Sequence, residues 1–480
     1  MSQKHLSWRH ERPRPVATPV TMPLDDSRGT IRPMMQLALP VFVSQSLILI
    51  VGYTDWWLTG HYLTGSAPKA AMGLMAYYMW MLQSLFSVFQ IGATALVARF
   101  TGARQHRRAE RVLHQALLAG FALACVATLI SSYVGDSFVR LMQLEDEAAQ
   151  LAAQYIWIVT PVIPAIMVLS IGSSCLSAAG DTVTGALISA LAVVINVLVG
   201  ASLVIGWGPL PQLGWRGLPI GTLTAEWIAA LIMCFTLMRG RAGMRLRLRQ
   251  MRPHATTMRR LLRIGIPGGI DIATMLGCQL GYFAIIGTLG TVATAAHGLG
   301  VQVEALAYLP GHAFSIAAST LTGQYLGAGK PQQATRCALT CCLAGGSFMT
   351  FGRLGFFFKS DQITLFFTGN SDDPAGVLAA QLLQIAAVSM PFLATMMILS
   401  GALRGAGDTR WTLMTTALGL ILVRIPCACW LAWYGVRGPG TDWVVAGVIG
   451  AWVAMVADVA VRGLLLLGRF YHGGWRTIKV

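Results

Sequence analysis

Residues 184 to 206 read TGALISALAVVINVLVGASLVIG and contain no charged side chain. A helix rises about 1.5 Å per residue, so about 20 apolar residues cross the roughly 30 Å hydrocarbon core of a bilayer. This run is therefore long enough to form one membrane span. The whole chain of 480 residues is 55% hydrophobic and only 11% charged, with a mean hydropathy of +0.62. Soluble proteins have about 25% charged residues, so the composition excludes a soluble enzyme.

About twelve runs of this kind follow one another along the chain. They predict an all-α integral membrane protein, because barrel strands need only about ten residues of alternating polarity and these runs do not alternate. We expect about twelve transmembrane helices near residues 34–58, 70–97, 112–134, 148–172, 184–206, 216–238, 262–287, 292–322, 335–358, 376–402, 411–434 and 443–467.

Basic residues are unevenly divided between the two sides of the predicted bundle. Of the 35 lysines and arginines, 28 fall on the side that holds the first 32 residues and the segment 239–263. Because Lys and Arg concentrate in cytoplasmic loops, we expect a multi-pass inner (plasma) membrane protein with both termini in the cytoplasm. The net charge of +16 then follows from topology, and no nucleic-acid partner is expected.

The two halves of the chain repeat each other. Pro40 is matched by Pro267, and the tract Ala179–Thr182 by Ala406–Thr409, at the same shift of 227 residues. Each half then holds six spans running in the same directions, as in secondary transporters that bind substrate between two such halves. We predict a cytoplasmic tail (1–33), an N-lobe (34–238), a basic cytoplasmic linker (239–261) and a C-lobe (262–480) around a central cavity.

Acidic residues within the spans are candidate functional groups, because a carboxylate in hydrocarbon has to be paired, protonated or hydrated. Glu226, Asp271 and Glu304 fall near the midplane. Each is either a proton or sodium carrier, a counter-charge for a cationic substrate, or a buried group hydrogen-bonded between helices. Asp55 precedes two tryptophans near the outer end of its span, so it is either a coupling acid or part of an interfacial aromatic belt. Asp458 is expected to be structural.

Other polar residues and prolines also interrupt the spans. Arg424 lies near the middle of its span, where it needs an acid or a carbonyl partner, and we expect a structural pair. Pro40 and Pro267 each remove a backbone donor and are candidate kinks or hinges. Gln45 and Gln279 follow these prolines, and each either contacts substrate or hydrogen-bonds to another helix.

Sequence motifs give no support to several enzyme classes. The chain has no Walker A, HExxH, GxGxxG or GxSxG motif, and its nine cysteines lack the spacing of metal ligands. We therefore expect no cofactor and no metal site. An integral membrane enzyme, a remote alternative, would have to use His297 and His312 beside Glu304.

The sequence resembles the multidrug and toxic compound extrusion (MATE) transporters from about Met34 to about Gly468. The resemblance implies cation-coupled export of organic, often cationic or aromatic compounds by alternating access of two six-helix lobes. It rests on Leu-Ala-Leu-Pro40 followed by Asp55, on Ala295–Gly298, Val303–Gly311 and Leu321–Gly329 in and after the eighth span, on the paired Gly-Asp-Thr loops, and on Arg424-Ile425-Pro426.

The resemblance also indicates ion-coupling residues. In one branch of the family, an Asn on the fifth span and an Asp one turn later join the first-span Asp in a proton- or sodium-binding network. This chain has Asn196 at the similar place and Gly200 one turn on. We assign ion coupling to Asp55, Asn196 and Glu304, with H⁺ and Na⁺ both open. The alternative, a lipid-linked glycan or lipid flippase of related plan, predicts a more basic cavity. A single two-lobed chain is expected to act as a monomer, with an organic substrate and membrane lipid as its partners.

Overall fold

The computed structural model describes residues 29–63, 65, 67–142, 146–207, 211–370, 372–437 and 444–478, so most of the predicted tail (1–33) lies outside the described residues. Twelve long helical segments fill these ranges. They are α1 Ile31–Tyr62, α2 Ala67–Gly102, α3 His106–Leu141, α4 Glu147–Ala179, α5 Thr182–Ile205, α6 Gly217–Arg239, α7 Ala255–Gly287, α8 Thr291–Gly327, α9 Pro331–Phe358, α10 Pro374–Ala406, α11 Thr409–Trp433 and α12 Gly447–His472.

Several of these segments are interrupted, and short elements join them. The helix of α2 breaks between Leu85 and Ser87, α4 contains a 3-10 turn at Thr160–Val162, and α11 is π-helical over Leu418–Arg424. The joining elements are the helix Ser360–Thr368, the 3-10 turns Gly214–Arg216, Leu248–Gln250 and Gly474–Thr477, and the two-residue antiparallel strands Val436–Arg437 and Val444–Val445.

The helices confirm the predicted all-α membrane fold. Eleven of the twelve are long and apolar enough to cross a bilayer, and α8 is the exception in composition although it is 37 residues long. Many helices continue a turn or more beyond the predicted apolar runs, because a helix need not end where hydrocarbon ends. Many of the basic residues counted on the loop side therefore lie within helices, among them Arg404 near the end of α10 and Arg462 in α12.

The repeated Gly-Asp-Thr tracts connect helices in both halves. Gly180 and Gly407 adopt left-handed φ angles of 102° and 86° and end α4 and α10, a conformation that glycine accepts without steric cost. Asp181 then caps α5 by accepting a hydrogen bond from the Thr184 backbone N–H at 3.0 Å. The repeat is thus a helix stop followed by a helix start.

An ion pair braces each of these tracts. Arg241, just beyond α6, contacts Asp181 at 2.7 Å, and Arg469, in the last turn of α12, contacts Asp408 at 2.9 Å. The same pair therefore occurs at equivalent places in the two halves. This symmetry indicates that the two arginines belong to the scaffold.

The halves meet at the end of the bundle where α1 begins and α12 ends, which we call the terminal side. Gly102 of α2 lies against the backbone of Gln324 in α8, and Gly327 lies against the backbone of Arg99. A side chain at either glycine would overlap the opposite helix, so glycine permits this close approach. The ends of α2 and α8 are therefore packed backbone to backbone.

Hydrogen bonds reinforce this junction. Arg99 Nη2 donates to the carbonyls of Ala406 at 3.0 Å and Ile478 at 3.1 Å, both in the second half. In return, Gln324 Nε2 donates to the Ala178 carbonyl of the first half at 2.9 Å. All of these bonds lie at the terminal side, so the structure holds the halves closed there.

Candidate functional site

A buried polar cluster lies in the first half, between α1, α4, α5 and α6. Asp55 of α1 is only 8% exposed, whereas the two tryptophans after it are 43% and 50% exposed. The carboxylate therefore faces the helix bundle, as a coupling acid would, while the tryptophans lie at the surface. Asn196 Nδ2 of α5 donates to Thr222 Oγ1 of α6 at 3.0 Å, and both residues are buried.

Two members of this cluster were missing from the sequence-based assignment. The Tyr155 hydroxyl lies within electrostatic range of Asp55 and close to the Thr222 hydroxyl. Thr222 is positioned by the preceding Gly221, which lies against Gly200 and brings α5 and α6 together. Gly217 and Gly221 are four residues apart, a spacing of small residues that favours close packing of two helices, and this spacing could have predicted the contact.

Glu226 is the second acid of the first half. It follows Thr222 by one helical turn, so the two side chains lie on the same face of α6. The structure leaves it half-buried. Glu226 therefore extends the polar face of α6 beyond the Asn196–Thr222 contact.

A charged cluster occupies the second half. The Asp458 carboxylate, completely buried in α12, contacts Arg424 Nη2 at 2.9 Å and Arg462 Nη2 at 2.6 Å. Arg424 Nη1 also donates to Gln279 Oε1 of α7 at 3.2 Å, and its guanidinium lies 5.6 Å from the centre of the Tyr282 ring. The expected structural pair of Arg424 thus has Asp458 as its acid, and Gln279 makes a hydrogen bond between helices.

Glu304 lies beside this cluster on α8. It is 6% exposed and within electrostatic range of Arg424, although the two do not form an ion pair. The Tyr308 hydroxyl, one turn further along α8, lies within range of both Glu304 and Asp458. Glu304 is therefore a buried acid next to a cluster of two arginines and one aspartate.

The two histidines proposed for an enzyme site are far apart. His297 Nδ1 accepts a hydrogen bond from the indole N–H of Trp452 at 3.1 Å, and both side chains are buried. His312 is exposed and lies fifteen residues further along the same helix, a rise of roughly 22 Å. The histidines do not converge on one cavity, because the helix separates them by about four turns.

Asp271 is paired. It is 1% exposed on α7, and its carboxylate contacts Arg404 Nη2 of α10 at 2.6 Å. The Arg404 side chain, 28% exposed, reaches water more readily than its partner. The structure thus places Asp271 in the buried, hydrogen-bonded arrangement between helices that was one of the alternatives expected for it.

The two prolines lie within continuous helices. Pro40 lies inside α1 and Pro267 inside α7, and Gln45 on α1 is half-buried. Next to Pro267, Gly265 and Gly269 pack against Val88 of α2. The hinge role of the prolines and the substrate contact of Gln45 stay predictions.

Charge compensation separates the intramembrane acids into two groups. Asp271 and Asp458 form ion pairs with arginines. Asp55, Glu226 and Glu304 have no such pair within the described part of the chain. The same ranges contain no group of three His, Cys, Asp or Glu residues suited to a metal ion.

Two repeated six-helix halves, closed on each other at one end and containing uncompensated acids within their spans, define a secondary membrane transporter. A family model described as MatE matches residues 40–201 and 267–430, which together are more than half of the chain. The chain therefore belongs to the MatE family. One matched block falls in each half and confirms the internal repeat.

Similar proteins cover nearly the whole chain. The probable multidrug resistance protein NorM of Thermotoga maritima is 24% identical over 96% of both chains, and the multidrug resistance protein MdtK of Pectobacterium atrosepticum is 26% identical over 89% of this chain and 94% of that protein. The resemblance to MATE transporters is thus confirmed, and the protein is a multi-pass membrane transporter rather than an enzyme.

Solved structures show the same fold. An outward-facing multidrug resistance MATE family transporter matches with a TM-score of 0.83 at 20% identity, covering 94% of this chain and 98% of that chain. A transporter of Pyrococcus furiosus, reported with reverse polarity of its binding pocket, matches with a TM-score of 0.83 at 19% identity. The match covers 93% of this chain and 96% of that chain.

Proposed function

We propose that the protein is a multidrug efflux antiporter that exports organic, cationic or aromatic compounds in exchange for H⁺ or Na⁺. Its relatives named as multidrug resistance proteins support the export of drugs. We propose that it lies in the inner membrane with the terminal side facing the cytoplasm, as the excess of basic residues on that side favours. Each chain contains both halves of the pathway and is proposed to act as a monomer.

The observation that supports ion coupling best is the position of Asp55. Its carboxylate is buried among helices and has no arginine partner among the residues that the structure describes. It lies in the same polar cluster as the Asn196–Thr222 pair. Such an acid is stable only when it binds a proton or a cation, or when water reaches it. The Tyr155 hydroxyl lies within electrostatic range of Asp55 and close to Thr222. Hydroxyl oxygens of this kind are suitable ligands for Na⁺ and suitable hydrogen-bond partners for a protonated acid.

Alternating access gives this binding a direction. The two halves are joined at the terminal side. With the terminal side in the cytoplasm, as proposed, the structure is closed towards the cytoplasm and corresponds to the state open to the outside. An ion that binds this state more tightly than the opposite state shifts the equilibrium towards substrate release outside. Glu304, on the second half, is proposed as the second ion-responsive acid.

The charge distribution favours a cationic substrate over the phosphate of a lipid-linked glycan. Arg424 and Arg462 are both committed to Asp458, and both are 5% exposed. Neither is therefore available to bind pyrophosphate. Within the described residues Asp55, Glu226 and Glu304 form no ion pair, and these three acids attract cations.

Dye transport in everted membrane vesicles tests this function. We expect an imposed pH gradient or an imposed Na⁺ gradient to drive ethidium transport by the wild type. Asp55→Asn should abolish this transport, because an amide cannot release a proton or hold a cation by its charge. Asp361→Asn, a change at an exposed acid of the Ser360–Thr368 helix, is the matched control and should keep wild-type rates. Wild-type transport by Asp55→Asn would contradict the assignment, and an absence of dye transport under both gradients would contradict multidrug export.

A further inference from the structure

A cavity of about 370 Å³ opens on the terminal side between α7 and the start of α11. We propose that it binds the phosphate group of an anionic phospholipid from the adjacent leaflet. Its walls include Arg260 and Arg263 of α7 and Arg410 of α11. All three arginines are exposed, and none forms an ion pair within the residues that the structure describes. The cavity thus collects three uncompensated positive charges.

The one acid in the cavity wall does not neutralise them. Asp408 is buried, and its carboxylate accepts a hydrogen bond from Arg469 Nε at 2.9 Å. Arg469 therefore compensates the charge of Asp408 from the other side. A phosphate, with a full negative charge and several acceptor oxygens, is the complementary group for the three free guanidinium groups.

The internal repeat shows that the scaffold does not require these arginines. The Thr409 hydroxyl donates to the Ile264 carbonyl at 2.8 Å, and in the first half the Thr182 hydroxyl donates to the Gln36 carbonyl at 3.4 Å. The two contacts join equivalent helices but differ by one residue, because the equivalent of Ile264 in the first half is Leu37. The positions equivalent to the three arginines at a shift of 227 residues are nevertheless Pro33, Gln36 and Val183.

The surface beside the cavity favours a lipid as the source of the phosphate. Ile266 and Ile270 follow Arg263 by three and seven residues, so they share its face of α7, and they are 47% and 48% exposed. Met414 follows Arg410 by one turn of α11 and is 42% exposed. Acyl chains that continue from a bound headgroup would cover these apolar side chains. Basic pockets between helices at a membrane surface bind acidic headgroups in this way.

Lipid binding to the purified full-length protein in dodecyl maltoside tests the proposal. The probes are dioleoyl phosphatidylglycerol and the zwitterionic dioleoyl phosphatidylcholine, and native mass spectrometry counts the bound lipids. We expect the triple variant R260Q/R263Q/R410Q to bind phosphatidylglycerol at least about tenfold more weakly than the wild type. The control R107Q/R108Q/R249Q removes the same charge from exposed arginines outside the cavity and should bind like the wild type.

Each outcome has a distinct meaning. Equal binding by the wild type and the cavity variant would overturn the proposal, and an equal loss in both triple variants would show general surface attraction instead of a site. Displacement of phosphatidylglycerol by millimolar inorganic phosphate would show that the cavity prefers a free anion, against the lipid assignment. Thermal unfolding without added lipid checks that the variants are folded. If the triple cavity variant is not folded, the single variant Arg410→Gln replaces it, with Arg249→Gln as its control. Only Arg410→Gln should then weaken lipid binding.

Discussion

Removing the Asp458 carboxylate is expected to destabilise the second half strongly. Its two oxygens accept three bonds: Oδ2 from Arg424 at 2.9 Å and from Arg462 at 2.6 Å, and Oδ1 from Arg462 Nε at 2.8 Å. Asp458→Asn keeps the volume and removes the charge. Two arginine charges, each 5% exposed, would then face each other without an acid between them.

The magnitude follows from the burial of this cluster. Breaking a buried ion pair by removing one partner costs about 3–5 kcal/mol, because the remaining charge stays desolvated. A domain of 150–250 residues loses about 2–4 °C in Tm per kcal/mol and a larger chain loses less, so we expect a decrease on the order of 5–10 °C.

A thiol-reactive fluorogenic maleimide measures this change in purified protein. Cys175, Cys337 and Cys341 are buried and free, so their reaction with the dye reports unfolding. Asp361→Asn, at an exposed acid, is the control and should leave Tm within about 1 °C, since surface changes stay near 0.5 kcal/mol. If Asp458→Asn unfolds at the temperature of the wild type, the Asp458 carboxylate does not stabilise the two buried arginines as described above.

Two further changes test the junction between the halves and the role of His297. Gly327→Leu places a side chain where the α2 backbone lies, so we expect the terminal side to open. Spin labels at the exposed positions 108 and 336 should then show a longer distance by electron paramagnetic resonance. An unchanged distance would contradict the role of this close packing in holding the two halves together at the terminal side. Trp452→Phe leaves the buried His297 Nδ1 without its donor and should reduce stability by about 1–3 kcal/mol in the same thermal assay. A Tm equal to that of the wild type would show that the bond contributes nothing.

The fold was largely predictable because lipid imposes strong rules on sequence. Length and hydropathy identify the spans, and the matched Gly-Asp-Thr tracts identify the repeat. The positive-inside count indicates only the side on which a basic residue lies, and it does not say whether that residue belongs to a loop or to a helix end. Arg404 and Arg462 lie within helices, where they pair with Asp271 and Asp458.

The site was predictable only in part, because pairing across a bundle leaves little trace in one sequence. Asp271 and Arg404 are separated by 133 residues, and nothing local connects them. Tyr155 and Thr222 carry no charge that would have marked them within an apolar span. Asp55 was identified because the sequence around it resembles the first span of a known family, and the structure adds its polar neighbours.

The central claim is that substrate export is exchanged for an ion bound at Asp55. Purified protein in liposomes, loaded with a pH-sensitive dye or with a Na⁺-sensitive dye, measures this exchange directly when a cationic substrate is added. We predict substrate-dependent movement of one of the two ions by the wild type and none by Asp55→Asn. Equal ion movement by the wild type and this variant would contradict the claim.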